Sequence, residues 1–193
     1  MELRLLLYGP ETINHSAGPI TPRDVDFLLR LKEQMTELML FCQGRGLSAP
    51  QVGIPKRFVI VKLQSGEIIE LINPEIKRLY GKEEYFPESC LSLPPYDNEC
   101  RVPRTDCVDV EYGRIGSLVM HTRSFAREDA RLVQHELDHL TGTFFVDRVP
   151  EKRRRPVLER FEAWHTSWVL RGRPQPYGGT YEAIARPCTA DCG

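Results

Sequence analysis

The feature that most constrains this chain is the pair of histidines in His135-Glu136-Leu137-Asp138-His139. On an α-helix, residues four positions apart lie on the same face, so both imidazoles can bind one metal ion. Glu136 follows the first histidine and can reach the open coordination position of that metal, where a carboxylate moves protons. The chain has only five histidines in 193 residues, so incidental surface histidines are the weaker interpretation. The spacing predicts a helix that carries a hydrolytic divalent-metal site.

Two histidines do not complete such a site, because catalytic zinc or iron usually takes three protein ligands. Metzincin peptidases place a glycine and then a third histidine downstream. This chain has Gly142 but carries Phe145 at the ligand position, which excludes that class. Asp147 or Glu159 could supply a downstream carboxylate, and Cys90 could supply an upstream thiolate. The residues alone leave these two alternatives equal.

The hydrophobic pattern around this motif predicts an α+β fold with antiparallel strands bracketed by helices. The first helix begins at Thr21, with Pro22 at its first position, and stops before Gly44. Further helices are expected at about 126–141, where Gly142 ends the helix, and at 150–170. Strand-like runs cover 58–61, 68–72, 106–112 and 117–120, with prolines at 94–95 and 103 marking loops or edges. We expect one catalytic domain over residues 1–171 and an irregular tail over residues 172–193.

Composition excludes several classes of function. The net charge is −1 and the pI about 6.5, so no global field points to DNA or an anionic membrane. The basic run 152–155 is interpreted as a solvated helix start. No stretch reaches the roughly 18 apolar residues of a membrane span, and the N-terminus lacks the features of a signal or transit peptide. We therefore expect a cytoplasmic protein whose six cysteines are reduced, with Cys188 and Cys192 unpaired.

Three segments occur in one order and resemble the motifs of the peptide deformylase family. They are Gly44-Arg45-Gly46-Leu47-Ser48-Ala49-Pro50-Gln51, Glu88-Ser89-Cys90-Leu91-Ser92 and Gln134-His135-Glu136-Leu137-Asp138-His139. Leu71-Ile72-Asn73-Pro74 and Val102-Pro103-Arg104 are similar to connecting segments of that family. The resemblance covers roughly residues 20–165, and the helical C-terminus resembles the bacterial and organellar type. It implies antiparallel β-sheets that surround a central metal-binding helix.

The resemblance also implies an activity and a role for individual residues. The family removes the N-formyl group from the N-terminal methionine of nascent polypeptides and releases formate. Its metal is usually Fe²⁺, and Zn²⁺, Ni²⁺ or Co²⁺ can substitute. The implied partners are formylmethionyl peptides or nascent chains, with a transient ribosome contact. The residues that match are the metal ligands Cys90, His135 and His139, the general acid/base Glu136, and two oxyanion donors, the Gln51 amide and the Leu91 backbone N–H.

This chain departs from the family pattern near the expected substrate-binding residues Gly44, Arg45, Gly46 and Ser89. Ser89 stands where the family has glycine, which is a handicap if that position needs a positive φ or a close substrate approach. Arg45 replaces a commonly apolar residue, and Ser48 replaces a small apolar one. Asp138 either orients an imidazole or is solvated.

Three other functions stay open beside deformylation. The first is the same site acting on a different N-acyl amine. The others are a zinc endopeptidase with a downstream carboxylate ligand, and a non-catalytic module with a structural metal.

Overall fold

The α+β class is confirmed by the computed structural model, which describes residues 3–9, 16–95 and 100–171. Three α-helices lie within these ranges: α1 (Val25–Phe41), α2 (Arg127–His139) and α3 (Glu151–Leu170). The strands are β1 (Gly46–Ser48), β2 (Phe58–Lys62), β3 (Ile68–Pro87), β4 (Arg101–Arg114) and β5 (Ser117–Ala126). The expected tail, with Cys188 and Cys192, lies outside the described residues.

The first helix begins with a short 3-10 turn over Pro22–Asp24, before α1 itself. The backbone N–H of Thr21 donates to Asp24 Oδ2 at 2.8 Å, which satisfies one of the donors left open at a helix start. After α1 ends, the N–H of Gly44 donates to the carbonyl of Met39 at 2.8 Å. The turn that follows leads directly into β1, so the end of α1 fixes where the Gly-rich segment enters the sheet.

The five strands form one antiparallel sheet in the order β1-β2-β3-β4-β5. Because side chains alternate along a strand, β2 presents Phe58 and Ile60 to the core that contains α1. Its other two buried residues, Val59 and Val61, pack in the core that contains α2. The two helices therefore cover opposite faces of the sheet, and burial of the apolar face of α2 holds the helix that carries both histidines.

Strands β3 and β4 extend well beyond the predicted segments. β3 runs for 20 residues and has register irregularities against β4 at three places. Its outer half, including Lys77, Arg78 and Lys82, is largely solvent-exposed and charged, so the apolar alternation that signals a strand is missing there. Pro103 lies within β4 and pairs with Tyr85 of β3, at a point where β5 does not extend alongside, so it marks an edge and not a loop. Proline is tolerated there because the ladder lacks a partner on that side.

A third group of buried side chains joins α3 to the segment that carries Cys90. Leu7, Cys90 and Val102 pack with Phe144, Phe145 and Val146, and with Val157 and Phe161 of α3. Cys42, Cys90, Cys100 and Cys107 form no disulfide with one another. Within the described residues, no helix combines the length and apolar character required to cross a bilayer.

Candidate metal centre

The two histidines of the motif lie one turn apart on α2, with their imidazole nitrogens converging. The two Nε2 atoms are 3.3 Å apart, and the ring planes are nearly perpendicular at 87°. Cys90 approaches from the turn after β3, where the N–H of Leu93 donates to its carbonyl at 2.9 Å. Its Sγ lies 3.3 Å from His139 Nε2, and the ligand atoms of Cys90, His135 and His139 all lie within 4.8 Å of one another.

The downstream carboxylates are engaged elsewhere. Asp147 accepts a hydrogen bond from the N–H of Phe144 at 2.9 Å and pairs with Arg154 at 3.0 Å. Glu159 pairs with Arg155 at 2.8 Å on the surface of α3. Phe145, at the position of a metzincin histidine, stacks on the His135 ring with 6.1 Å between the ring centroids. The structure thus brings Cys90, and neither carboxylate, to the histidine pair.

Glu88 is a functional residue that sequence reasoning missed. Its Oε2 lies 2.9 Å from His135 Nδ1, so the carboxylate fixes the imidazole orientation and leaves Nε2 directed at Cys90 and His139. Glu88 in turn accepts two hydrogen bonds from Arg104, at 2.7 and 3.0 Å. Glu88 stands in one of the three motifs that carry the family resemblance, and Arg104 stands in a connecting segment. A carboxylate two positions before a candidate cysteine ligand was the available signal.

Neither role considered for Asp138 is correct. Its carboxylate is buried and does not contact an imidazole; it accepts from Arg104 Nη1 at 2.7 Å. Arg148 donates to the same carboxylate through Nε at 2.7 Å and through Nη2. A chain of charge-assisted hydrogen bonds therefore runs from Arg148 through Asp138, Arg104 and Glu88 to His135, and it satisfies charges that would be costly to bury alone.

The pKa values of the two histidines are shifted in opposite directions by burial and by the neighbouring charges. Burial opposes protonation of His135, but hydrogen bonds with Cys90 and Glu88 outweigh it and raise its pKa well above the ordinary value. Burial lowers the pKa of His139 well below its usual range, and the neighbouring His135 and Arg104 add to that effect. Burial raises the pKa of Glu88, but the hydrogen bonds and charges of His135 and Arg104 outweigh it and lower the pKa to about 2. Glu88 is thus an anion at neutral pH and a constant acceptor for His135.

Glu136 is buried and lines the same cavity as Cys90 and His135. Its Oε2 has no hydrogen-bond partner in the described part of the chain. Burial is the main reason why its pKa rises to about 7. A carboxyl group that titrates near neutrality can both accept and return a proton. Space for it is provided by Gly46, because a Cβ there would overlap the Glu136 carboxylate. Gly46 is thus required as a spacer.

Gln51 is held with a defined amide orientation. Its Oε1 accepts from the backbone N–H of Ser48 at 2.9 Å and from the Ser48 hydroxyl at 3.0 Å. Its Nε2 consequently faces Cys90 Sγ at 3.4 Å and Ser92 Oγ at 3.2 Å. Gln51 is buried and lines the cavity, so an N–H₂ donor is fixed beside the ligand cysteine.

A cavity of about 790 Å³ opens onto these groups and brings the expected substrate-binding residues to one place. Gly44, Arg45, Gly46, Ser89 and Leu91 all line it. Ser89 is exposed and is not among the described residues with a positive φ, so its backbone does not require glycine. Gly44 is a second spacer, since a Cβ there would approach Leu91 Cδ1 to 2.8 Å.

Arg45 turns away from the reacting centre. Its guanidinium pairs with Glu128 at 3.4 Å and with Asp129 at 3.1 Å, in the first turn of α2. Two acidic side chains at this position also complement the positive end of the helix. Arg45 therefore ties the Gly-rich turn to α2 across the rim of the cavity.

The donor set fits a divalent transition-metal ion. One thiolate and two imidazoles are ligands that such ions accept, and they leave coordination positions open. Glu136 Oε2, which is buried without a hydrogen-bond partner among the described residues, is also consistent with a site that binds a polar ligand. Cys90, His135 and His139 are thus the group that can hold a metal, with Glu88 as the outer partner of His135.

Known proteins are similar to this chain in sequence and in fold. The family model described as polypeptide deformylase matches residues 3–155. A peptide deformylase of Thermotoga neapolitana is 36% identical over 156 residues, which cover 78% of this chain and 89% of that protein. The solved Thermus thermophilus peptide deformylase aligns with a TM-score of 0.76 and 32% identity, over 89% of this chain and 99% of that one.

A third similar protein is the Acinetobacter baumannii class I type b peptide deformylase, solved with Met-Ala-Ser bound. It aligns with a TM-score of 0.70 and 31% identity, over 77% of this chain and 99% of that one. The family match covers well over half of the chain and includes all three motifs of the metal centre. This chain therefore belongs to the polypeptide deformylase family.

Proposed function

We propose a role for each residue of the metal centre in the reaction of this family, the hydrolytic removal of the N-formyl group from nascent polypeptides. The observation that carries the proposal is the convergence of Cys90, His135 and His139, two of which line one cavity together with Glu136 and Gln51. Cys90, His135 and His139 would hold the divalent ion. When bound, that ion supplies Lewis-acid chemistry and lowers the pKa of water toward neutrality.

Glu136 handles the protons of the reaction. Its carboxylate accepts a proton from the attacking water and then delivers it to the nitrogen of the leaving amine. Burial and the close approach of Gly46 hold the carboxylate in one position. A general acid/base must sit within hydrogen-bonding distance of the atoms it serves, and a restricted carboxylate position favours that role.

Gln51 and the backbone N–H of Leu91 stabilise the oxyanion that forms when water attacks the formyl carbonyl. The Gln51 amide is preorganised, because Ser48 occupies its carbonyl oxygen and leaves the N–H₂ group toward Cys90. Donors fixed before the reaction stabilise developing charge most effectively. The loss of one such donor raises the activation free energy by about 2.7–4 kcal/mol.

The substrate is a peptide that begins with formyl-methionine. Support comes from the cavity that opens onto the metal centre, and from the bound Met-Ala-Ser of the Acinetobacter relative. Gly44, Arg45, Gly46 and Ser89 would line the substrate path. We assign Fe²⁺ as the native ion because the family resemblance implies it. Zn²⁺, Ni²⁺ or Co²⁺ would be substitutes, since a mixed thiolate and imidazole set also accepts them. The site of action is the cytoplasm, with transient contact at the ribosome.

Formate release tests this assignment directly. The protein is loaded anaerobically with Fe²⁺ or Ni²⁺ and assayed with formyl-Met-Ala-Ser. We expect turnover by the loaded protein, its loss in Glu136→Gln with metal content retained, and loss of metal in Cys90→Ala. No formate from the loaded protein would defeat the function, and retained metal in Cys90→Ala would defeat the ligand assignment.

The geometry gives no support to a different N-acyl substrate. Arg45 is occupied by Glu128 and Asp129, and Ser89 adopts an ordinary backbone conformation, so neither departure alters the metal centre. A panel of formyl, acetyl and longer acyl peptides measures this directly. We expect a preference for formyl.

A further inference from the structure

Arg131 lies on the wall of the cavity, one helical turn before His135. Residues four positions apart on a helix share a face, so the two side chains stand one above the other on α2. The guanidinium carbon of Arg131 lies 3.4 Å from the centroid of the Phe86 ring, which also lines the cavity. Stacking on an aromatic face holds an arginine in place and leaves its N–H groups at the edge of the ring.

The guanidinium of Arg131 has donors to offer. An arginine carries five N–H donors. Throughout residues 3–9, 16–95 and 100–171, neither a carboxylate nor any other hydrogen-bond acceptor pairs with Arg131. Apart from the Glu136 carboxylate, the other charged groups on the cavity wall are already matched: Arg45 pairs with Glu128 and Asp129, and Glu88 with Arg104. Arg131 is therefore the cationic group on this wall that a ligand can engage without breaking an ion pair seen in the structure.

The distance from the metal centre indicates which part of a peptide would meet Arg131. Four residues advance about 6 Å along the helix axis, so the backbone of Arg131 stands about that far from the backbone of His135. An extended peptide advances about 3.3 Å per residue, so the residue that follows formyl-methionine lies at a similar distance from the reacting carbonyl. The side chain of the residue after formyl-methionine is therefore the one that we expect to contact the Arg131 guanidinium.

We propose that Arg131 is a specificity-determining residue that favours substrates with an acidic side chain directly after the formyl-methionine. The inference rests on the proposed function and adds a substrate preference to it. A planar guanidinium binds a carboxylate through two parallel hydrogen bonds, which gives selectivity for Asp and Glu over their amides. The negative charge of Glu128, three residues before Arg131, limits the nonspecific attraction of anionic peptides to this wall of the cavity. The preference therefore depends on direct contact rather than on net charge.

The test compares peptides that differ only in charge. Formyl-Met-Asp-Ser and formyl-Met-Asn-Ser, both as C-terminal amides, are assayed with the Ni²⁺-loaded full chain over a range of salt concentrations. We expect kcat/KM for the Asp peptide to exceed that for the Asn peptide by about two- to tenfold at low salt. The ratio should fall toward one at high salt, because a partly exposed ion pair is screened.

Variants then assign the preference to one side chain. In Arg131→Gln the Asp/Asn ratio should fall to one or below, and Arg131→Lys should retain part of it. The ratio is internal to each protein, so it does not depend on how much of a variant folds. Arg123→Gln is the matched control, because Arg123 also stacks on an aromatic ring, Phe125, but lies outside the cavity; its ratio should equal that of the parent.

Three results would overturn the inference. The first is a ratio of one or less in the parent protein while neutral peptides still release formate, which leaves the proposed function intact. The second is an unchanged ratio in Arg131→Gln. The third is the absence of formate from every peptide, which removes the proposed function and this inference together.

Discussion

Oε2 of Glu88 lies 2.9 Å from Nδ1 of His135, across 47 positions of sequence. This contact selects which ring nitrogen faces the metal centre, since a carboxylate acceptor holds the proton on Nδ1. Arg104 holds the same carboxylate from its other side. The orientation of one ligand thus depends on a buried acid and on a buried base from β4.

Replacing Glu88 with Gln should weaken metal binding while leaving the ligands intact. An amide is a poorer acceptor for the imidazole N–H, and loss of such an outer partner lowers metal affinity about 10- to 100-fold. The affinity is measured by competition with a chromophoric chelator. Glu84→Gln is the control, because Glu84 lies on the exposed part of β3 and pairs with Lys82 at 2.6 Å. Equal affinities for the two variants would contradict the role given to Glu88.

Replacing Gly46 with Ala should displace Glu136 and reduce kcat, with metal content maintained. The added Cβ would overlap the Glu136 carboxylate, and small displacements of a catalytic group cost about 100-fold in rate. Formate release and metal content are measured on the same preparation. Gly18→Ala serves as the control, because its Cβ would meet only Pro55 O at 3.7 Å. Full activity in Gly46→Ala would show that the carboxylate tolerates the shift.

Replacing Ser48 with Ala should lower kcat/KM modestly. The backbone N–H at position 48 still donates to Gln51 Oε1, but the hydroxyl bond at 3.0 Å is lost. One hydrogen bond contributes about 0.5–1.5 kcal/mol, which corresponds to roughly a two- to twelvefold effect. Gln51→Glu should be more damaging, since it removes the N–H₂ donor itself. If Gln51 served only to fill space, Gln51→Glu would lower kcat/KM less than Ser48→Ala does.

Glu70 gives a prediction for stability against pH, away from the metal centre. Burial opposes ionisation of Glu70, but the hydrogen bond and charge of Lys32, at 2.8 Å, prevail and lower its pKa from the ordinary value of 4.5. A depressed pKa means that the folded state favours the anion. The stabilisation is therefore complete above about pH 4.5 and is lost as the pH falls through the lower pKa of the folded state.

The variant Glu70→Gln should accordingly unfold more easily than the parent at pH 7, by about 1 kcal/mol for this pair of a buried carboxylate and a partly exposed Lys32. The difference should shrink below pH 4.5. Urea denaturation of both proteins at several pH values measures it, and metal loss at low pH affects both alike. A difference that grows on acidification would contradict the assigned sign.

Sequence patterns of short range were enough for much of the chemistry. The i, i+4 spacing of His135 and His139 depends only on helix geometry, so the metal helix was predicted within a few residues of its bounds at Arg127–His139. Strands rich in β-branched residues were likewise predicted from local sequence alone. The outer part of β3 was missed because its side chains meet solvent and carry no apolar period.

Only the tertiary structure decided which distant groups complete the centre. Spacing left Cys90 and a downstream carboxylate equal, and the family resemblance alone favoured the cysteine. The fold then brought Cys90 to the histidines and paired Asp147 and Glu159 with arginines. Hydrogen bonds between residues 34 to 47 positions apart, such as those of Glu88 and Arg104 with α2, follow from how the sheet packs on the helix. Local propensity carries no information about such pairs, because their partners meet only when the chain has folded.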